Sequence, residues 1–166
     1  MMALAADKVF ARENIILNPH YQGMGGLYGS EYWTYLLPHR VGQLQAENLT
    51  NDLLPISAEK AKTLHLVDDV IYQDETLNSS FHDQITRIAE QLVHDPDYEQ
   101  MLVRKIKKLT SDNEIKAVEK YRSEELAVMK ENFYGNDQSY HIARHNFVLK
   151  VPALATPSHL ARHRKK

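Results

Sequence analysis

Three residues in one short stretch could move protons. Residues 18 to 35, NPHYQGMGGLYGSEYWTY, hold His20, Tyr21 and Glu31 among four glycines, four tyrosines and the chain's one tryptophan, Trp33. Histidine, tyrosine and glutamate all serve as positioned acids and bases. The glycines, Gly25, Gly26 and Gly29 among them, let backbone approach a small bound group closely. The aromatics would keep water away from it. A plainer reading stands beside this one. Glu31 would then be a solvated first-turn carboxylate that stabilises a helix, and the aromatics would be core. His20 also reads two ways: it orients Tyr21 or Glu31 within a pocket, or it is a turn residue satisfied by backbone.

Two further patterns are weaker. His141/His145 and His159/His163 have i,i+4 spacing, which puts both imidazoles of a pair on one helix face, as some zinc sites require. No third ligand stands in an evident motif, so surface helices with basic faces are the expectation, and no metal. The tail RHRKK, residues 162 to 166, reads either as a contact for phosphates or a partner's acidic patch or, more commonly for such a terminus, as solvated.

The elements that would position these residues are mostly helices. The chain has 166 residues, 25% charged and 43% hydrophobic, with a formal charge of −2. That suits one ordinary globular domain and gives no overall attraction to nucleic acid or an anionic membrane. No apolar run has the length of a membrane span. With no cysteine, disulfides and thiolate metal sites are excluded, and a reducing, cytoplasmic location is expected. Met2, Ala3, Ala6 and Phe10 fall at helical spacing and predict an opening helix. Residues 14 to 19 predict one short buried strand stopped by Pro19. Residues 30 to 37 predict a helix capped by Ser30 and ended by Pro38. A short helix should follow Gly42, to residue 52. Ser57 should cap another to about Leu64, before a strand in LVDDVI.

Beyond residue 76 helices dominate. Phe81, Ile85, Ile88, Ala89, Leu92 and Val93 form an apolar stripe. Asp95-Pro96 should start the next helix. Ser111 with Glu114 reads as a capping box before a helix reaching Tyr134. Gly135-Asn136 should break it. Another helix is expected over about 139 to 149, and a last one after Thr156-Pro157. The fold class is therefore mainly α with a few short strands, too few to make a sheet core alone.

Several segments, in order, resemble the crotonase (enoyl-CoA hydratase/isomerase) superfamily: ALAADKVFA, ILNPHY, PHRVG and, most specifically, PISAEKAKTLHLVDDVI. The resemblance implies the helical half of a crotonase fold, a superhelix of ββα turns. Residues 1–75 would be the end of its spiral core with the active-site segment, and 76–166 its C-terminal helical region. The segment LNPHYQGMGGLYGSEYWTYLLPHRVG and the tail YHIARHNFVLKVPALATPSHLARHR are similar, more narrowly, to the crotonase-like C-terminal domain of the HypX/HoxX family of hydrogenase maturation proteins. That family implies a formyl-transferase-like module upstream, the only part to use tetrahydrofolate. A crotonase-like module would then split formyl-CoA into coenzyme A and carbon monoxide, a ligand for a nickel–iron hydrogenase. The upstream module and the first half of the crotonase core lie outside this sequence, so the chain reads as a fragment. We expect no catalysis by it alone, and an exposed apolar face that favours aggregation or pairing with a complementary half.

The resemblance also assigns residues. Hydratases use two glutamates, at positions that here hold Met1 and His20. Methionine cannot transfer protons, which argues against hydration. Releasing CO from a formyl thioester needs one base and a partner for the leaving thiolate, and the family implies Glu31 and Tyr21. Gly25, Gly26, Gly29, Ser30 and Trp33 would line the substrate pocket, and Lys150 would reach the CoA nucleotide. CoA phosphates are also what the tail RHRKK would touch on its first reading. A CoA thioester and hydrogenase maturation proteins are the implied partners. Two alternatives remain: a generic acyl-CoA hydratase or isomerase, and an inactive helical remnant or interaction module.

Overall fold

The computed structural model describes residues 2–18, 22–73 and 80–155. A 3-10 turn, Met2–Ala5, leads into strand β1 (Phe10–Arg12) and then β2 (Ile16–Leu17). Helices α1 (Trp33–Val41) and α2 (Gln43–Asp52) follow, then β3 (Ile56–Ser57), α3 (Ala58–Thr63) and β4 (Asp69–Ile71). Four helices complete the order: α4 (Phe81–Val93), α5 (Tyr98–Ile115), α6 (Val118–Tyr134) and α7 (Ser139–Val148).

The strands form two separate pairs. β1 runs parallel to β4, with Ala11 opposite Val70, and β2 runs antiparallel to β3, with Ile16 opposite Ser57. This corrects the expected opening helix. Phe10 and its neighbours are a strand, because β4 offers them a parallel ladder. Asp68 extends that ladder with its own groups: its amide donates to the Val9 carbonyl at 2.7 Å, and its carboxylate accepts from the Val9 amide at 2.7 Å. The strand over residues 14 to 19 is only two residues long and is not buried, since Ile16 is 69% exposed.

Among the described residues the main apolar cluster lies in the first half of the chain, and Tyr140 is the one buried hydrophobic outside that half. Ala11, Trp33, Leu37, Ala46, Leu49, Ala58, Ala61, Leu66, Val67 and Val70 form one buried cluster. Small alanines on α3 let that short helix lie close to β2, β3 and β4, while α2 packs on α1. Ser57 caps α3 as expected, accepting from the Lys60 amide at 3.2 Å. Arg40 on α1 ion-pairs with Asp68, so PHRVG and LVDDV, read separately in the sequence, meet there. Burial opposes the Asp68 charge, but the Val9 amide, Arg40 and Lys8 outweigh it and hold the carboxyl below its ordinary value.

Several boundaries differ from expectation. Helix α5 begins at Tyr98 with Asp97 at its N-cap, so Pro96 lies in the turn before it rather than at its first position. Helix α1 begins at Trp33, with Tyr32 rather than Ser30 at its N-cap, and it runs through Pro38 to Val41. Ser111 lies inside α5, and the break comes at Lys116 and Ala117, where Asn113 Oδ1 accepts from the Val118 amide at 2.9 Å and caps α6. The stripe on α4 is real but buries nothing completely: Phe81 is 37% and Val93 62% exposed. The α4 cap does match a capping box, formed by Ser80 and Asp83. The predicted last helix, with His159 and His163, lies outside the described residues.

Candidate functional site

Among the nine site residues read from the sequence, His20 and Tyr21 lie outside the described residues. The other seven fall into three places. Gly25, Gly26, Gly29, Ser30 and Glu31 form the irregular segment before α1, Trp33 opens α1, and Lys150 lies just past α7.

The segment is irregular by necessity. Gly25, Gly26 and Gly29 have φ of +62°, +81° and +85°, a region side chains with a Cβ rarely adopt. Gly25 has a second constraint. A Cβ there would lie 2.2 Å from the Ser139 carbonyl oxygen, so the turn packs directly on the backbone that starts α7. Gly26 has open space where its Cβ would be, so its requirement is conformational only. Gly29 is buried and Ser30 and Glu31 are half-buried.

Helix α6 fixes the rest of the segment. The Tyr28 amide donates to Asn132 Oδ1 at 3.0 Å. The Tyr32 amide donates to Glu125 Oε2 at 2.8 Å. The Thr34 amide and hydroxyl donate to Glu125 Oε1 at 2.8 and 2.6 Å. Glu125 is fully buried, at 0% exposure. The first amides of a helix have no partner within it, and here a carboxylate from another helix supplies one, at the end where the helix dipole favours negative charge. Tyr32 is bent into the left-handed region, φ 56°, ψ 27°, which turns its amide toward the same carboxylate. Its hydroxyl donates to Glu119 Oε1 at 2.8 Å, and Arg122 lies over its ring at 5.5 Å.

The aromatics divide. Trp33 is core, with Tyr28 edge-on at 5.0 Å between ring centroids. Burial and the nearby Glu125 charge push the Tyr28 hydroxyl pKa up. Tyr32 and Tyr35 instead face a cavity of about 510 Å³ between the N-terminal turn, α1 and α5. Tyr35 donates to Asp112 Oδ2 at 3.0 Å, and burial followed by that bond raises its pKa to about 12. His39 Nε2 approaches the same oxygen at 3.1 Å. Glu31, Ser30, Trp33 and Lys150 are not among the residues lining this cavity.

Lys150 stands apart, exposed and left-handed at φ 55°, with its ammonium 4.5 Å from the Phe147 ring centroid. The far end of α7 lies about 14 Å along its axis from Ser139, by helical rise. His141 Nε2 lies 3.0 Å from the Phe133 carbonyl, so one nitrogen of the first histidine pair is engaged by backbone.

Sequence reasoning missed Glu125, Asn132 and Glu119. A signal for two of them exists. Val118, Tyr121, Glu125, Met129 and Asn132 are the buried or half-buried positions of α6, and they follow one helical stripe. A glutamate in mid-stripe, between apolar residues, marks a partner waiting across the interface.

Solved structures with a crotonase-like fold match this arrangement of strand pairs, short helices and helical end. An enoyl-CoA hydratase/isomerase from Pseudoalteromonas atlantica has it, with a TM-score of 0.68 over 92% of this chain and 58% of that one, at 21% identity. Within that class the chain is a part-length relative of the HypX/HoxX hydrogenase maturation factors. It is 44% identical to the hydrogenase maturation factor HoxX of Bradyrhizobium diazoefficiens over 163 residues, 98% of this chain and 28% of that protein. HypX from Aquifex aeolicus in complex with tetrahydrofolic acid is 41% identical, with a TM-score of 0.85 over 99% of this chain and 28% of that one. The chain thus spans under a third of the length of these relatives. No protein-family profile matches it. Among the described residues, no helix is long and apolar enough to cross a membrane.

Proposed function

We propose that this chain is the active-site-bearing C-terminal part of a crotonase-like domain that releases carbon monoxide from formyl-CoA for nickel–iron hydrogenase maturation. The near-complete match to HoxX at 44% identity carries this reading. In the proposed reaction Glu31 takes the formyl proton. The carbon–hydrogen electron pair stays on carbon, the carbon–sulfur bond breaks toward sulfur, and carbon leaves as CO. Tyr21 gives its proton to the departing thiolate, so coenzyme A leaves as the thiol, and the tyrosinate left behind takes back the proton that Glu31 holds. The glycine-rich turn gives the one-carbon group room against backbone, and Lys150 pairs with a CoA phosphate. Tetrahydrofolate would be used by a formyl-transferase-like module upstream, and the physiological partners would be that complementary part and other hydrogenase maturation proteins.

The geometry supports a fixed base. Glu31 sits between two anchored points, Tyr28 on Asn132 and Tyr32 on Glu125, and a base held in place is what proton abstraction from a bound thioester needs. The test is CO release from formyl-CoA, by the chain alone and by the chain exchanged for the matching stretch of Aquifex aeolicus HypX. CO is expected from the exchanged protein, with Glu31→Gln and Tyr21→Phe each lowering it at least 100-fold by the usual size of acid–base contributions. A folded exchanged protein that binds formyl-CoA and yields no CO sinks the proposal.

A further inference from the structure

We infer that Glu125 is a positioning residue for Glu31, acting through the left-handed Tyr32 that separates Glu31 from α1. The inference rests on the proposed role of Glu31. Three observations lead to it. Glu125 is a carboxylate at 0% exposure, and burying a charge is costly unless hydrogen bonds compensate it. Among the described residues its hydrogen bonds converge on one place: the Tyr32 amide, the Thr34 amide and the Thr34 hydroxyl, all within 2.8 Å. Tyr32 adopts φ 56°, a strained conformation for a residue with a Cβ, which persists only where surroundings impose it. The surroundings are α6: Glu125 holds its amide and Glu119 its hydroxyl.

A helix of this length needs no such device merely to exist. α2 and α5 have no side-chain cap bond and form nonetheless. What the Glu125 clamp adds is a fixed direction for the chain entering α1. The peptide joining Glu31 to Tyr32 carries the amide that Glu125 grips, so the position and heading of Glu31 follow from that bond. Amides that converge on one anion after a left-handed residue form the same kind of concave donor site that binds free anions elsewhere. Here the anion is built into the fold, and its seat lies one peptide from the proposed base.

The experiment uses the exchanged protein of the CO assay with Glu125→Gln, Glu31→Gln and the pair together. Gln keeps the size but offers one acceptor oxygen instead of two, so one of the two amides loses its partner. Glu125→Gln should lower kcat about 10- to 100-fold and change KM less than about threefold, by loss of orientation rather than of binding. A residue that acts through Glu31 has nothing left to act on once that carboxylate is gone. The double variant should therefore match Glu31→Gln alone. Effects that multiply, or a Glu125→Gln protein with unchanged kcat beside an impaired Glu31→Gln protein, overturn the inference. Crystal structures of the 166-residue chain and its Glu125→Gln variant decide the geometry without activity. Displacement of the Glu31 carboxylate by more than about 1 Å, with the core unmoved, supports the inference, and an unmoved Glu31 overturns it. If the unaltered exchanged protein releases no CO, the proposed reaction fails, and the structural comparison alone judges the positioning role.

Discussion

The two halves of the molecule are held together by different forces. Residues 9 to 71 share one apolar cluster in which Leu37, Ala58 and Ala61 are wholly buried. Residues 80 to 155 contribute only Tyr140 and Glu125 to the buried set among the described residues. Beside the packing of the Tyr121 ring on Tyr35 at 5.3 Å, named polar bonds tie them to the first half: Glu125 and Asn132 to the segment before α1, Asp112 to Tyr35, and Lys105 to Asp7 at 2.5 Å. Apolar burial is non-directional, and it makes the first half compact. Hydrogen bonds are directional, and they fix where one irregular segment points. The difference teaches that the helical end serves the candidate site more than the core.

Substitutions should divide along the same line. Glu125→Ala leaves two helix-entry amides without an acceptor and should cost the largest amount, about 3–5 kcal/mol in a denaturant titration. A cost under about 1 kcal/mol would mean that water replaces the carboxylate freely. Leu37→Ala opens a cavity in the core and should cost about 3 kcal/mol in the same titration. Gly25→Ala meets both the Ser139 backbone and a left-handed φ. It should cost about 2 kcal/mol, and loss of α7 order in amide spectra should accompany it.

Acid should find the Arg40–Asp68 junction next. Its folded pKa lies below the ordinary value, 3.8, so its contribution is complete above that value. It drains as pH falls through the folded pKa, because the unfolded chain takes up the proton first. The stability gap between the parent and Asp68→Asn should be about 1 kcal/mol at neutral pH, after solvent screening, and should close as pH falls through the folded pKa of Asp68. A gap that widens on acidification would break the sign of this argument. The smallest effect belongs to α4: Val93→Ala, at 62% exposure, should change stability by less than about 0.5 kcal/mol. A larger loss would show that the stripe on α4 is covered in solution.

Local chemistry was legible in the sequence, and long-range pairing was not. Ser57 announced α3, Gly42 announced α2, and Gly135 ended α6, because caps and breakers act within a few residues. The opening strand was misread because Phe10 and Ala6 fit a helical period equally well, and only β4, about sixty residues later, decides between them. Ser111 looked like a cap because its motif is short enough to occur inside a helix. At the site, the glycine turn and Glu31 stood out by composition. Glu125 did not, because in RSEELAVMKENF it resembles any charge on a solvated helix face until its stripe is drawn.

The most direct measurement is amide hydrogen exchange on the 166-residue chain and its Glu125→Gln variant. If α6 holds the site segment, the amides of Tyr28, Tyr32 and Thr34 exchange as slowly as that of Leu37 in the parent. Those of Tyr32 and Thr34 then speed up at least 10-fold in the variant while that of Leu37 does not, as expected for a locally released segment. Fast exchange at Tyr32 and Thr34 in the parent, or rates unchanged by Glu125→Gln, would contradict the account.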